Sequence, residues 1–344
     1  MIDIIVNSNE AREYLVEKRT SQAIGCHITE EYFQNLFLQN LNDRIDIATD
    51  WCCAYDFSNN LKFFFVIRPE TSPLDEEIAT LLEQDDSVSV WSVYVKNRDV
   101  YLKRVLSPNE EVHYNDFKMQ YHLTDYGYDP NHAQNCNGNQ ERQNRINYCN
   151  YMDEHHILLP AANNAKIVDY FVSRFFFQKY GDIDYIIKTP IGLNAIELKF
   201  KYRAFNNIFG INRLECRTLK DLNDAGIRVY NVILDNNNRL NVLDYINRGP
   251  NNAHWLYYRF RDYNEVDERV APNYTAYQEN RPQSYYSFPA SHYRLLTYAH
   301  NILDLTCPIC GSTMILRHRQ RDGHEFMGCP NFSINNCTGI INLD

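Results

Sequence analysis

Two rhythms of apolar residues alternate along the 344-residue chain. Spacings of three and four predict helices over Glu10–Arg19, Thr29–Leu41 and Leu74–Leu82, the last entered through Thr71-Ser-Pro73. Strand-like runs predict β-structure at Leu61–Ile67, Val88–Val95 and Val100–Val105. After a polar stretch, Ala165–Arg174 has helical spacing. Gly181–Lys188 and Ala195–Tyr202 then alternate in period two about a turn holding Pro190 and Gly192. A helix follows, with Ile211, Leu214, Leu219, Leu222 and Ala225 on one face and Gly226 at its end. The next strand, Ile227–Asp235, is apolar on both faces at its centre, as inside a covered sheet. His292–Leu305 reads as a last helix. The pattern predicts an α/β (α+β) multi-domain chain: an acidic α/β domain over 1–125, a polar Asn/Gln/Gly linker over 126–147, a mixed α/β core over 148–247, a Tyr/Arg-rich connector over 248–304 and a small cysteine module over 305–344.

Composition sharpens this picture in three ways. Hydrophobic residues at 44%, with 26 Tyr and 18 Phe, give ample material for cores and exclude wholesale disorder. The longest apolar run, Phe63–Ile67, is far short of the roughly 20 residues of a membrane helix, and Met1-Ile-Asp-Ile-Ile-Val lacks a basic leader, so a cytoplasmic protein without membrane contact is expected. Charge is divided: residues 1–160 carry 13 Lys and Arg against 26 Asp and Glu, whereas 161–344 carry 21 against 18. A polyanionic partner therefore suits the C-terminal part, and the acidic N-terminal domain is left for a scaffold, a protein partner or homodimer contacts.

Of ten cysteines, Cys26, Cys52, Cys53, Cys136, Cys149 and Cys216 are scattered. The other four, Cys307, Cys310, Cys329 and Cys337, are spaced C-x2-C-x18-C-x7-C, which supplies four thiolates for tetrahedral Zn2+. Between the pairs, Thr313–Arg317 and His324–Gly328 predict two short strands. So small a module has too little core to fold alone, and the metal supplies the missing energy. Cys-Pro-x-Cys-Gly-x-x-Met, an Arg-rich hairpin, Phe-x-Gly-Cys and a last Cys resemble the C-terminal zinc ribbon of type IA DNA topoisomerases. The resemblance implies a ribbon that binds single-stranded DNA through Arg317, Arg319, Arg321, Phe326 and Phe332. A structural cap or protein-docking module is the other reading of the same forty residues.

The hairpin over 181–202 carries the second candidate chemistry. Glu197, Lys199 and Lys201 share one face of their strand, and Asp184 on the partner strand can converge with them. Two carboxylates that close need a cation between them, and Mg2+ or Mn2+ suits oxygen ligands. Gly181-Asp-Ile-Asp184, twelve intervening residues, Glu197-Leu-Lys199, a helix and a buried strand resemble, in that order, the restriction-endonuclease-like PD-(D/E)xK nucleases. The resemblance implies that Asp184 and Glu197 hold the divalent ion, that Lys199 assists attack of water on a phosphodiester, and that an upstream acid completes the site. Glu154 and Asp169 are the two candidates for that acid, and Asp182 is a further possible ligand or supporting group.

The favoured expectation is a metal-dependent endonuclease acting on DNA, with RNA as a second substrate class, and by analogy a role in restriction, repair or anti-phage defence. The alternative is a non-catalytic nucleic-acid-binding or partner-docking protein with an inactive core. A topoisomerase proper is disfavoured, because that family forms its gate from a much longer chain. Interleaved Tyr and Arg between Arg248 and Ser291 fit a single-strand clamp as well as ordinary loop packing.

Overall fold

A computed structural model describes residues 2–41, 45–127, 138–176, 179–189, 192–203, 207–237, 239–250, 253–260, 267–271, 283–297, 299–303, 305, 307–312, 314–321 and 325–342. In chain order the α-helices are α1 (Ser8–Lys18), α2 (Ser21–Phe33), α3 (Pro73–Leu82), α4 (Tyr114–Gln120), α5 (Asn139–Glu154), α6 (Leu158–Ile167), the short α7 (Ser173–Phe175), α8 (Arg213–Asp224), α9 (Val242–Ile246), α10 (His300–Leu303) and α11 (Phe332–Asn335). The strands are β1 (Asp46–Ala48), β2 (Trp51–Asp56), β3 (Leu61–Val66), β4 (Val88–Lys96), β5 (Asp99–Arg104), β6 (Glu111–His113), β7 (Tyr180–Ile183), β8 (Tyr185–Thr189), β9 (Gly192–Lys201), β10 (Ile208–Asn212), β11 (Arg228–Asp235), β12 (Trp255–Phe260), β13 (Asp267–Ala271), β14 (Gln283–Pro289), β15 (Arg294–Leu295), β16 (Ile315–His318), β17 (Glu325–Gly328) and β18 (Ile340–Asn342).

Two six-stranded mixed sheets dominate. One runs β1-β8-β9-β11-β12-β15 and the other β6-β5-β4-β3-β2-β7; smaller sheets are β10-β14-β13 and β16-β17-β18. In the first sheet β9 and β11 are parallel, joined by a connection that includes β10 and α8, and the remaining pairs are antiparallel. The chain is thus mixed α/β, as its periodicity predicts. Local signals agree with the elements they start. Ser72 and Asp75 form a reciprocal capping box with Pro73 inside the first turn of α3, and Asn212 and Glu215 do the same for α8.

The predicted boundary near residue 125 is not a structural one. β1 belongs to the sheet of β8 and β9, and β7 belongs to the sheet of β2, so the acidic N-terminal part and the hairpin region exchange strands. One hydrophobic cluster joins Trp51, Phe64 and Ile78 from the former to Ile186, Ala195 and Leu219 from the latter. The physical reason is the double role of each edge: an isolated β2 edge would leave backbone donors and acceptors unpaired, and β7 covers it.

Four further differences have local causes. The polar segment 126–147 is not all linker: α5 begins at Asn139, because Arg145, buried beneath a polar sequence, bonds Val16 O at 2.9 Å and Glu141 at 3.0 Å. Residues 128–137 lie outside the described residues. The helix expected to start at Thr29 begins at Ser21, capped by Thr20. The segment 181–188 is two strands in two sheets, broken at Asp184. His292–Leu305 is not one helix but a 3-10 turn, the two residues of β15 and the single turn α10. In the connector, β12 is a strand of the first large sheet, and Tyr258 packs on Phe288 and Tyr293, which is ordinary core formation. Arg261, Tyr263, Tyr274, Tyr277 and Arg281 lie outside the described residues. Among the described residues, no helix is long and apolar enough to cross a membrane.

Candidate metal and catalytic site

The site is built where the two large sheets meet. β7 leaves one sheet at Ile183, β8 enters the other at Tyr185, and Asp184 is the residue between. Tyr185 pairs with Ile196, so the same register sets Asp184 opposite Glu197. Asp184 is fixed there by accepting a hydrogen bond from the Leu198 N–H at 2.5 Å. On β9, Ile196 and Leu198 face one apolar cluster, which leaves Glu197 and Lys199 on the other face.

Glu197 is 1% exposed, and neither of its carboxylate oxygens sits in a well-directed hydrogen bond. Its Oε1 faces Lys199 Nζ, which also meets Glu215 Oε1 at 2.6 Å. Glu215 serves twice, since its Oε2 accepts from the Asn212 N–H at 3.2 Å and closes the α8 capping box. Glu30 on α2 approaches Asp184 from the other side, with His27 Nδ1 at 3.3 Å from its Oε2. Glu30, Asp182, Asp184, Glu197 and Glu215 thus outnumber Lys199, Lys201 and His27, with Glu197 buried, Glu30, Asp184 and Glu215 half-buried and Asp182 exposed.

The electrostatics follow from that surplus. Burial, then repulsion from Glu30, pushes the Asp184 carboxyl well above the usual range; burial does the same to Glu197, with Lys199 opposing and Asp184 adding to it. Burial works against the Lys199 ammonium, yet Glu197, Glu215 and Asp184 prevail and hold its pKa high. Glu215 goes the other way, down to about 2, because Lys199 and Lys201 outweigh its burial. Burial lowers Lys201, whose Nζ donates to Gly210 O. A cleft of about 560 Å³ reaches one side of this cluster, where Cys26, His27, Glu30, Asp182 and Asp184 line it; Glu197, Lys199 and Glu215 lie behind that lining.

Neither upstream candidate is among the groups that act most strongly on Asp184 or Glu197. Glu154 is the exposed last residue of α5. Asp169 accepts from Tyr14 Oη at 2.5 Å and pairs with Arg19 Nη2 at 2.8 Å. The helical acid that meets Asp184 is Glu30, which lies inside an expected helix but far upstream in sequence. Glu215 is the acid three residues after the Asn212 cap, a local signal that marks the start of α8 after Ile211, which belongs to β10, and that says nothing of its bond to Lys199.

The ribbon residues do come together. The Cys307, Cys310, Cys329 and Cys337 Sγ atoms all lie within 4.8 Å of one another, with Cys307–Cys337 at 3.5 Å and Cys310–Cys329 at 3.4 Å. These approach the edge of about 3.8 Å that tetrahedral Zn–S bonds of ~2.3 Å imply, so the four thiols fit a metal such as zinc. Among the described residues, no other three such ligands are drawn that close, and the carboxylates of the cleft stand at a looser spacing. Gly311, at φ +71°, turns the first knuckle, and a Cβ on Gly339 would stand 2.1 Å from Cys307 Sγ. Gly339→Ala is therefore expected to displace Cys307 and weaken zinc binding at least about tenfold, read by competition with a chromogenic chelator. An unchanged affinity would refute the packing argument.

Of the nucleic-acid candidates, Arg321 and Phe332 are exposed on the ribbon, and Phe326 is half-buried. Arg317 lies across Gly328 and donates to Cys329 O at 3.4 Å, so part of its capacity is spent within the module. Arg319 is exposed. Comparison with family models, with curated proteins and with solved structures returned no match.

Proposed function

We propose that this chain is a metal-dependent nuclease that hydrolyses phosphodiester bonds of DNA, with a core of the PD-(D/E)xK kind and a zinc ribbon that helps to hold the nucleic acid. The observation that carries the proposal is the meeting of half-buried Asp184 and Lys199 with buried Glu197, joined by Glu30. A folded protein does not gather carboxylates around a buried one such as Glu197 for stability, because burial costs desolvation and each neighbour repels it. Glu197, with both oxygens poorly satisfied, offers hard donors that suit Mg2+ or Mn2+. Asp184 and Glu197 are the residues that would hold the ion, with Glu30 and Asp182 beside them. When bound, such an ion polarises a phosphoryl oxygen and lowers the pKa of water. The chain's own part is to orient: Leu198 N–H fixes Asp184, and Glu215 keeps Lys199 protonated and aimed at the cluster, where a cation stabilises charge developing on a phosphate.

One feature favours the alternative of a non-catalytic nucleic-acid binder: Lys199 is already engaged by two carboxylates, as in a closed ion-pair lattice. Labelled single-stranded, duplex, nicked and RNA substrates with Mg2+ or Mn2+ separate the readings. Cleavage that disappears in Lys199→Ala supports the nuclease; binding without metal-dependent cleavage supports the binder.

The same assay tests the upstream acid. Glu30→Gln is expected to slow cleavage about 10- to 100-fold, whereas Glu154→Gln leaves it within about twofold, as surface substitutions usually do. Asp169→Asn should cost stability, about 1 kcal/mol for a half-exposed pair, without loss of rate per folded molecule. A large rate effect at Glu154 with none at Glu30 would reverse the assignment.

A further inference from the structure

The face of α8 turned away from the catalytic lysine carries a different pattern. Cys216, Leu219 and Leu222 are buried against the sheets, while Arg213, Arg217 and Lys220 recur at helical spacing along the opposite stripe. That stripe forms one wall of a groove of about 850 Å³. The other wall comes from the β2–β3 turn, with Phe57 at its tip, and from Lys62 on β3.

Two of the groove's cations are committed to its walls: Lys62 meets Asp85 at 3.0 Å and Asp221 at 2.9 Å, and Lys220 meets Asp224 at 2.6 Å. Arg217 is different. Among the described residues it forms no ion pair, and its guanidinium lies over the Phe57 ring at 4.9 Å and over the Tyr55 ring at 5.4 Å from the centroids. Phe57 is 48% exposed and lies parallel to buried Tyr55, with 5.6 Å between centroids and 4° between planes. The turn that presents it is pinned, because Asp56 accepts from Ser58 N–H at 3.0 Å and from Asn59 Nδ2 at 2.6 Å. Tyr55 is held from behind by its hydroxyl bond to Asp221 at 2.8 Å.

A half-exposed aromatic ring parallel to a fixed one, with a guanidinium laid over both and free of any carboxylate among the described residues, offers what one nucleotide unit needs: π surface for a base and a cation for a phosphate. We infer that this groove binds single-stranded nucleic acid, with a base against Phe57 and a phosphate at Arg217. Nothing in the inference requires cleavage. It rests on the nuclease reading only in taking nucleic acid as the partner, and it adds a contact surface that neither the ribbon nor the acidic cleft provides.

Binding of fluorescein-labelled dT12 and rU12 to the full-length, zinc-loaded chain is measured by anisotropy in divalent-free buffer, with a 12-bp duplex and inorganic polyphosphate as comparators. Phe57→Ala is expected to weaken dT12 or rU12 about tenfold, with polyphosphate affinity unchanged. Phe57→Leu, which keeps the turn apolar, should lose nearly as much, so that misfolding is not the cause. Arg217→Gln should weaken all anionic probes and reduce the log–log salt slope by about 0.7. Full affinity in both Phe57 variants, loss confined to the duplex, or no wild-type binding to dT12 or rU12 would overturn the groove. If the groove variants fail to affect binding while the wild type still cleaves, only the groove is lost. If the wild type binds through Phe57 and Arg217 yet never cleaves, the nuclease reading is what falls.

Discussion

Glu197→Gln is expected to abolish metal-dependent cleavage, with a loss of at least about a thousandfold, and at the same time to leave the protein as stable or more stable. Both halves come from one geometry. Glu197 is buried with poorly satisfied oxygens, beside Asp184 and Glu215, and Lys199 is its compensating charge. Glutamine keeps the shape, removes one of the mutually repelling carboxylates and leaves Lys199 its bond to Glu215. A group that serves only as half of a structural ion pair behaves oppositely: removing it strands a buried ammonium and costs about 3–5 kcal/mol. A group kept for chemistry is a stability liability, and its neutralisation trades activity for stability. The measurements are single-turnover cleavage with Mg2+ or Mn2+ and a thermal melt of the same preparation. A fall in melting temperature with activity intact would assign Glu197 to the ion-pair lattice and remove it from the site.

How much of this was legible in the sequence depended on how far apart the cooperating residues lie. Alternation along Ala195–Tyr202 predicts Glu197 and Lys199 on one face of a strand; β9 is that strand, but Leu193–Leu198 are buried on both faces, so the polar face is not a solvent face. The C-x2-C spacing was enough to bring four thiols together. Glu30 was hidden because nothing local distinguishes it from Glu31 on the same helix, and only the packing of α2 on the end of the hairpin brings it to Asp184. The exchanged strands were hidden for a related reason. Whether β7 pairs with β2 or extends β8 is decided by a sheet edge more than a hundred residues away, and a one-residue break at Asp184 leaves no signature in the alternation. The same break puts a carboxylate at the seam between two sheets, on the lining of the cleft.

The second large effect concerns the ribbon, and it should reach well beyond its own residues. Cys307, Met314, Met327, Cys329, Cys337 and Ile341 share one hydrophobic cluster with Tyr185, Leu198, Tyr230 and Trp255 of the sheet that carries the site. Tyr185 and Leu198 are the direct chain neighbours of Asp184 and of Glu197 and Lys199, and Leu198 N–H is the donor that fixes Asp184. Structural zinc supplies folding energy outright, and a module without it cannot keep its apolar side presented to a partner surface. Cys329→Ser, or prolonged chelation of the wild type, is therefore expected to eliminate zinc binding by the four thiols, lower the melting temperature by at least about 5 °C, and slow cleavage even of substrates too short to reach the ribbon. Zinc content by elemental analysis, a melt and cleavage of a short oligonucleotide test the three parts together. A zinc-free chain that melts at the wild-type temperature and cuts short substrates normally would make the ribbon an independent appendage, and the shared core would then carry no coupling to the site.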